Sequence, residues 1–198
     1  PGMEASMTVY KNYGYTADNH GNILCTNLNT LQPVWHYYNH DDTDASLVME
    51  VDEDAIPYLY SGCEVDYQGT NGFCYLIKLN AIDGSKVWER KIPCKKIPRG
   101  EKFTEGGLFA TPLPGKGNCS DRLYVCCITN TPAHHGDFMA IDKKTGEIIY
   151  STHLDWYPWM SPISFLNENN EEFIVAGDTQ GKLYLINGKT GEIIYKNK

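Results

Sequence analysis

The chain has 198 residues, 41% of them hydrophobic and 21% charged, with a formal net charge of −8; that length can bury a sizeable core. The acidic balance argues against nucleic acid and anionic membrane surfaces as partners, and no apolar run approaches the roughly 20 residues a membrane-spanning helix needs. The 14 Tyr, 18 Gly and 10 Pro weight the composition toward strands and turns. Pro1-Gly2-Met3-Glu4-Ala5 has neither the basic flank nor the apolar stretch of a signal peptide, so export requires a leader already removed. The seven cysteines, 25, 63, 74, 94, 119, 126 and 127, include no C-x-x-C pair and fit neither a zinc site nor a complete disulfide framework. The compartment stays open, with an extracytoplasmic one (secreted or cell envelope) favoured.

Ser6 to Tyr10 and Tyr13 to Ala17 read as two strands, Asp18 to Asn22 as a turn, and Ile23 to Asn27 and Val34 to Tyr38 as two more strands, so residues 5–38 form one unit. Residues 45–92 repeat it with a longer middle loop, Glu64 to Gly72. Residues 107–153 do so again, with Pro114 to Asp121 and Thr129 to Asp137 as loops. Residues 161–197 form the fourth unit, joined by Asn167 to Glu171 and Asp178 to Gly181. Each unit opens on small residues, Ala5-Ser6, Ala45-Ser46, Ala110-Thr111 and Ser161, which keeps the phase along the chain.

The clearest mark of the repeat is Asp142-Lys143-Lys144-Thr145-Gly146-Glu147-Ile148-Ile149-Tyr150, which returns as Asn187-Gly188-Lys189-Thr190-Gly191-Glu192-Ile193-Ile194-Tyr195. Looser copies run from Asn80 to Trp88 and from Asn27 to Trp35. Asn or Asp leads into the turn and caps its own backbone two residues on. Gly supplies the left-handed conformation, and a β-branched stretch ending in an aromatic starts the next strand. Four antiparallel strands per unit are one propeller blade, and a blade cannot bury both faces alone. The expected fold is all-β, a β-propeller or half-propeller of four four-stranded blades, read as one domain over 1–198 and possibly a fragment of a larger propeller. Trp35, Trp88, Tyr150 and Tyr195 are expected to fill the gaps between blades as an outer girdle.

These units resemble the pyrrolo-quinoline quinone (PQQ) repeat, Ala-x-Asp-x-x-Thr-Gly-x-x-x-Trp. Ala140, Asp142, Thr145 and Gly146 match, with Tyr150 for Trp; Asn187, Thr190, Gly191 and Tyr195 match in the fourth unit, and Asn80, Gly84 and Trp88 in the second. The first keeps Asn27, Thr30 and Trp35 but has Leu31 where Gly belongs. The resemblance implies a PQQ-like propeller. Such propellers include quinoprotein dehydrogenases and also scaffolds that bind no quinone, one of them an outer-membrane assembly lipoprotein of Gram-negative bacteria. Known relatives are usually eight-bladed, so four blades imply a fragment, a small closed ring, or half of a ring that a homodimer completes.

In a four-strand meander the loops after the second and fourth strands share one face, opposite the Thr-Gly turns, and long loops on a rigid scaffold are where binding resides. Trp156, Tyr157 and Trp159 are the aromatic candidates, able to stack on a sugar, quinone or peptide, with plain packing as the alternative. His134 and His135, then His40, Asp41 and Asp42, and Arg99 in the segment Lys95–Lys102, complete the candidate ligand-binding set. Neither these nor His36 and Asp137 form a zinc pattern such as H-E-x-x-H, and no metal site is expected. Some quinoprotein dehydrogenases carry adjacent cysteines as a strained disulfide against the cofactor, which draws attention to Cys126-Cys127. In a strand, however, neighbours point to opposite faces, and a buried apolar pair is the plainer reading. No nucleophile elbow, phosphate loop or acid–base dyad is visible, so no catalytic residue is assigned. The expected function is a non-catalytic scaffold binding a protein, peptide or glycan through one loop face, with no cofactor. The alternatives are a PQQ- and calcium-dependent dehydrogenase, and an extracytoplasmic assembly or adhesion module of a larger envelope protein.

Overall fold

A computed structural model describes residues 2–97 and 104–197, which contain strands and no α-helix; one 3₁₀ turn covers Gly117–Cys119. The chain runs through β1 (Thr8–Tyr10), β2 (Tyr13–Ala17), β3 (Asn22–Asn27), β4 (Gln32–Tyr38), β5 (Val48–Val51), β6 (Pro57–Ser61), β7 (Glu64–Val65), β8 (Asn71–Asn80) and β9 (Lys86–Lys95). It continues with β10 (Gly106–Gly107), β11 (Leu113–Pro114), β12 (Arg122–Cys127), β13 (Gly136–Asp142), β14 (Ile148–Leu154), β15 (Ile163–Leu166), β16 (Glu172–Gly177), β17 (Leu183–Asn187) and β18 (Ile193–Lys196). Four antiparallel sheets result, β1-β2-β3-β4, β5-β6-β8-β9, β11-β12-β13-β14 and β15-β16-β17-β18. The two-stranded sheet β10-β7 was not foreseen, because its halves lie in segments expected to be loops. The second blade also runs three residues past its expected end, since the β8–β9 hairpin stays paired to Asn71↔Lys95.

The repeated turns form as their residues dictate. Asn27, Asn80, Asp142 and Asn187 each accept on Oδ1 the N–H two residues on, at 2.8–2.9 Å. Gly84, Gly146 and Gly191 then take φ of 74°, 73° and 77°. Leu31 holds the same conformation at 57°, a strained one for a side chain with a Cβ. After each turn the ladder shifts register at the same place: Cys25/Thr26, Lys78/Leu79, Ala140/Ile141 and Leu185/Ile186.

Strand alternation builds the cores between blades. Tyr15, Ile23 and Cys25 pack on Leu59, Ile77 and Leu79. Tyr60, Leu76 and Trp88, from the other face of the second blade, pack on Leu123, Val125 and Cys127. Tyr124, Cys126 and Phe138 then turn to Ile174, Ala176, Tyr184 and Ile186. Near the first strands, Ser6 N–H donates to Ser46 Oγ at 2.9 Å and Thr111 N–H to Ser161 Oγ at 3.0 Å, which joins the small openings of neighbouring blades.

Each aromatic that ends a fourth strand docks on the next blade's turn. Trp35 Nε1 donates to the carbonyl of Ala81 (3.0 Å), Trp88 Nε1 to that of Lys143 (3.0 Å), and the Tyr150 hydroxyl to that of Gly188 (2.8 Å). A Cβ on Gly84, Gly146 or Gly191 would come within 2.7 Å of the docked ring, so the glycine also makes room for its neighbour's aromatic. Among the described residues three of the four expected girdle aromatics dock in this way, while Tyr195 is 65% exposed. No hydrophobic core among the described residues joins the first blade to the fourth. Met7 and Val9 at one end, and Ile163, Phe165 and Leu183 at the other, are exposed. The chain is a half-propeller.

Candidate functional site

The crossovers between blades and the loops inside each second hairpin meet on one face, as the meander requires. Thr43 N–H donates to the Asp18 carbonyl (3.3 Å), Lys96 N–H to Thr70 (2.9 Å) and Thr179 N–H to Tyr157 (3.2 Å), each joining a crossover to a hairpin loop.

Around the third and fourth blades this face gathers five rings. The β12–β13 loop is tightened by Asn130, whose N–H reaches the His135 carbonyl (2.9 Å) and whose Oδ1 accepts the His134 N–H (3.2 Å). That places the His134 ring on Trp156, centroids 5.2 Å apart and nearly parallel, with Tyr157 at 6.4 Å. His135 lies 5.9 Å from Trp156 and stacks on His153 at 4.9 Å. A polar chain runs beneath: Thr129 Oγ1 donates to Asp137 Oδ2 (2.7 Å), Asp137 Oδ1 meets His153 Nδ1 (3.2 Å), and His153 Nε2 meets His135 Nδ1 (3.1 Å). This arrangement can bind and orient a polar group. Trp159 stands apart, 58% exposed and edge-on to Phe109 at 5.5 Å. With Tyr157, Thr104, Glu105 and Ile128 these two line a small pocket of about 80 Å³.

His153 escaped the sequence reading. Its signal is register: counting outward from the Thr145-Gly146 turn pairs Asp137 with His153 across β13 and β14.

His40, Asp41 and Asp42 do not join this group; they lie between the first two blades and have three different fates. The His40 ring stacks on Tyr75 at 3.9 Å, and its Nε2 meets Glu89 Oε2 at 3.2 Å. Asp41 is buried and accepts the N–H groups of Asp66 and Tyr67 (3.0 Å each) and the Gln68 amide (3.0 Å). It braces the 64–68 loop instead of facing a ligand. Asp42 comes together with Asp44 and Glu64. Arg99 lies outside the described residues. His36 is exposed on β4, where Nε2 meets Asn22 Oδ1 at 2.8 Å.

The adjacent cysteines separate as strand geometry requires. Cys126 belongs to the core between the third and fourth blades and Cys127 to that between the second and third, 3.6 Å from Cys94 Sγ. The two cannot line one side of a cofactor pocket, and in this respect the residues do not fit a bound quinone.

No family model matches the chain, and no curated protein matches it. Solved structures do. BamB from Moraxella catarrhalis superposes with a TM-score of 0.66 at 18% identity, over 98% of this chain and 48% of its own. A europium-containing methanol dehydrogenase gives 0.66 at 11% identity, over 97% and 41%. The Myceliophteria thermophila Cps50 (Swd1) β-propeller domain gives 0.58 at 16%, over 100% and 56%. The chain thus spans about half the length of each of these proteins, and at such identities the likeness is one of fold.

Proposed function

We propose that this half-propeller is a non-catalytic binding scaffold, and that a protein, peptide or glycan docks on the crossover face over Trp156, Tyr157, Trp159, His134 and His135. The observation that carries the reading is the contrast between Trp159 and the docked Trp35 and Trp88: Trp159 keeps most of its surface in water at the mouth of a pocket. A flat ring of that kind offers a large contact area at low entropic cost, and the imidazoles beside it supply hydrogen bonds. Rigid blades beneath irregular loops are the arrangement in which such sites are held in place.

The test is a screen of immobilised glycans and peptides with the native chain and with Trp156→Ala/Trp159→Ala. Binding should fall at least tenfold while the urea midpoint stays put. A folded double variant that binds as before removes this face as the site. A variant that unfolds assigns the two rings to packing.

A further inference from the structure

Asp42 and Asp44 sit on the crossover between β4 and β5, and Glu64 begins β7. The Glu64 N–H donates to the Asp42 carbonyl at 2.7 Å, which pins the two segments together. Behind Glu64, β7 is backed by Gly107, whose φ is +107° and where a Cβ would fall 2.5 Å from the Glu64 Cα. As a result one carboxylate oxygen from each of the three residues lies within 4.8 Å of the other two. Glu64 is only 1% exposed. Its Oε1, with Oδ1 of Asp42 and Oδ1 of Asp44, is buried and has no hydrogen-bond partner. An orphaned buried polar atom costs about 1–3 kcal/mol, more when charged, and native proteins hold few of them. Here each of the three clustered carboxylates contributes one. Asn39 Oδ1, buried and unpartnered too, lies three residues before Asp42 on the same crossover.

The surroundings deepen the problem. The nearby cation Lys96 is held by Asp66 and by Glu105 at 3.2 Å.

We infer that Asp42, Asp44 and Glu64 bind a divalent cation of the calcium class. The donors are all hard oxygens, which suit calcium and magnesium over softer metals. Three carboxylates from two segments of chain suit calcium, which takes six to eight oxygens in flexible geometry, over magnesium, which keeps several waters and is held by one or two carboxylates. Three carboxylates against a double positive charge leave one negative charge in place of three. The ion clamps the first crossover to β7 and, through the pairing of Glu64 with Gly107, to the second crossover. It therefore stiffens the loop face at its origin, independently of whether a ligand docks over Trp156.

The experiment dialyses the native chain against a chelator, then titrates calcium chloride, and separately magnesium chloride, by calorimetry and thermal unfolding. One calcium per chain should bind, more tightly than magnesium, and the unfolding midpoint should climb with the logarithm of calcium concentration. Glu64→Gln and Asp44→Asn should each weaken calcium at least tenfold. The absence of heat or of a midpoint shift up to about 10 mM calcium, beyond the weakest protein sites, overturns the proposal. So does a Glu64→Gln protein that is more stable than a calcium-indifferent parent, for the cluster is then a proton-sharing carboxyl pair. If neither variant folds, the titration of the native chain alone decides.

Discussion

Trp88 and Tyr195 occupy the same place in the repeat and live in opposite worlds. Trp88 is 9% exposed, seated on the Gly146 turn with its indole N–H on the Lys143 carbonyl, whereas Tyr195 is 65% exposed with no turn to sit on. The strand before each is alike, and so is the turn before that. What differs is the presence of a next blade. Burial in this fold is a property of position along the arc, and a residue written for the inside of a ring faces water wherever the arc stops.

The sharpest way to break the comparison is to cover the open end. Phe165, stacked on Phe173 at 5.7 Å, and Tyr195 should meet the Met7 and Val9 face of a second copy. Both ends are apolar, and they carry the two halves of the contact repeated three times inside. Light scattering across a concentration series should then give twice the 22.4 kDa chain mass, and Phe165→Glu should return the single-chain mass. A native chain that stays at 22.4 kDa throughout removes the second copy as the cover.

Next in size, Trp88→Ala should cost about 3–5 kcal/mol in urea unfolding, from lost burial and the cavity left behind. Tyr195→Ala, measured in dilute single chains, should stay within about 0.5 kcal/mol. Equal losses would mean that Tyr195 already packs on something. The smallest effect separates two left-handed glycines. Gly181, at φ +82° with nothing within 4 Å of the place a Cβ would take, should cost about 1–2 kcal/mol on mutation to Ala, from backbone strain alone. Gly146→Ala should exceed that, because the new methyl would stand 2.7 Å from the Trp88 ring. Equal costs would show that the docked indole yields freely.

The fold was legible wherever its causes are local. Asn or Asp, Thr, Gly and a closing aromatic each act within a few residues, so the turns, the blade phase and the split of Cys126 from Cys127 could be read directly. The misses share one feature, long-range meeting. The β7–β10 pair joins Glu64 and Val65 to Gly106 and Gly107 with no periodicity to announce it. Asp42, Asp44 and Glu64 converge from segments that each look like an ordinary acidic loop, and Asp41 beside them is consumed by backbone N–H groups that sequence cannot locate. The aromatic site was half visible: the loops holding Trp156 and His134 could be placed on one face, but not which rings would stack.

The split of the vicinal cysteines has one more consequence. Cys126 and Cys127 are both fully buried. Burial raises the Cys126 thiol to about 12, and the Cys74 thiol together with burial raises that of Cys127, so neither reacts while its interface is closed. One peptide bond thus carries two clocks. Alkylation of Cys127 times the parting of the second and third blades, and alkylation of Cys126 times that of the third and fourth. If the fourth blade, at the open end, peels away first, Cys126 is modified sooner, and a single digest of the labelled chain reads the order in which the arc comes apart.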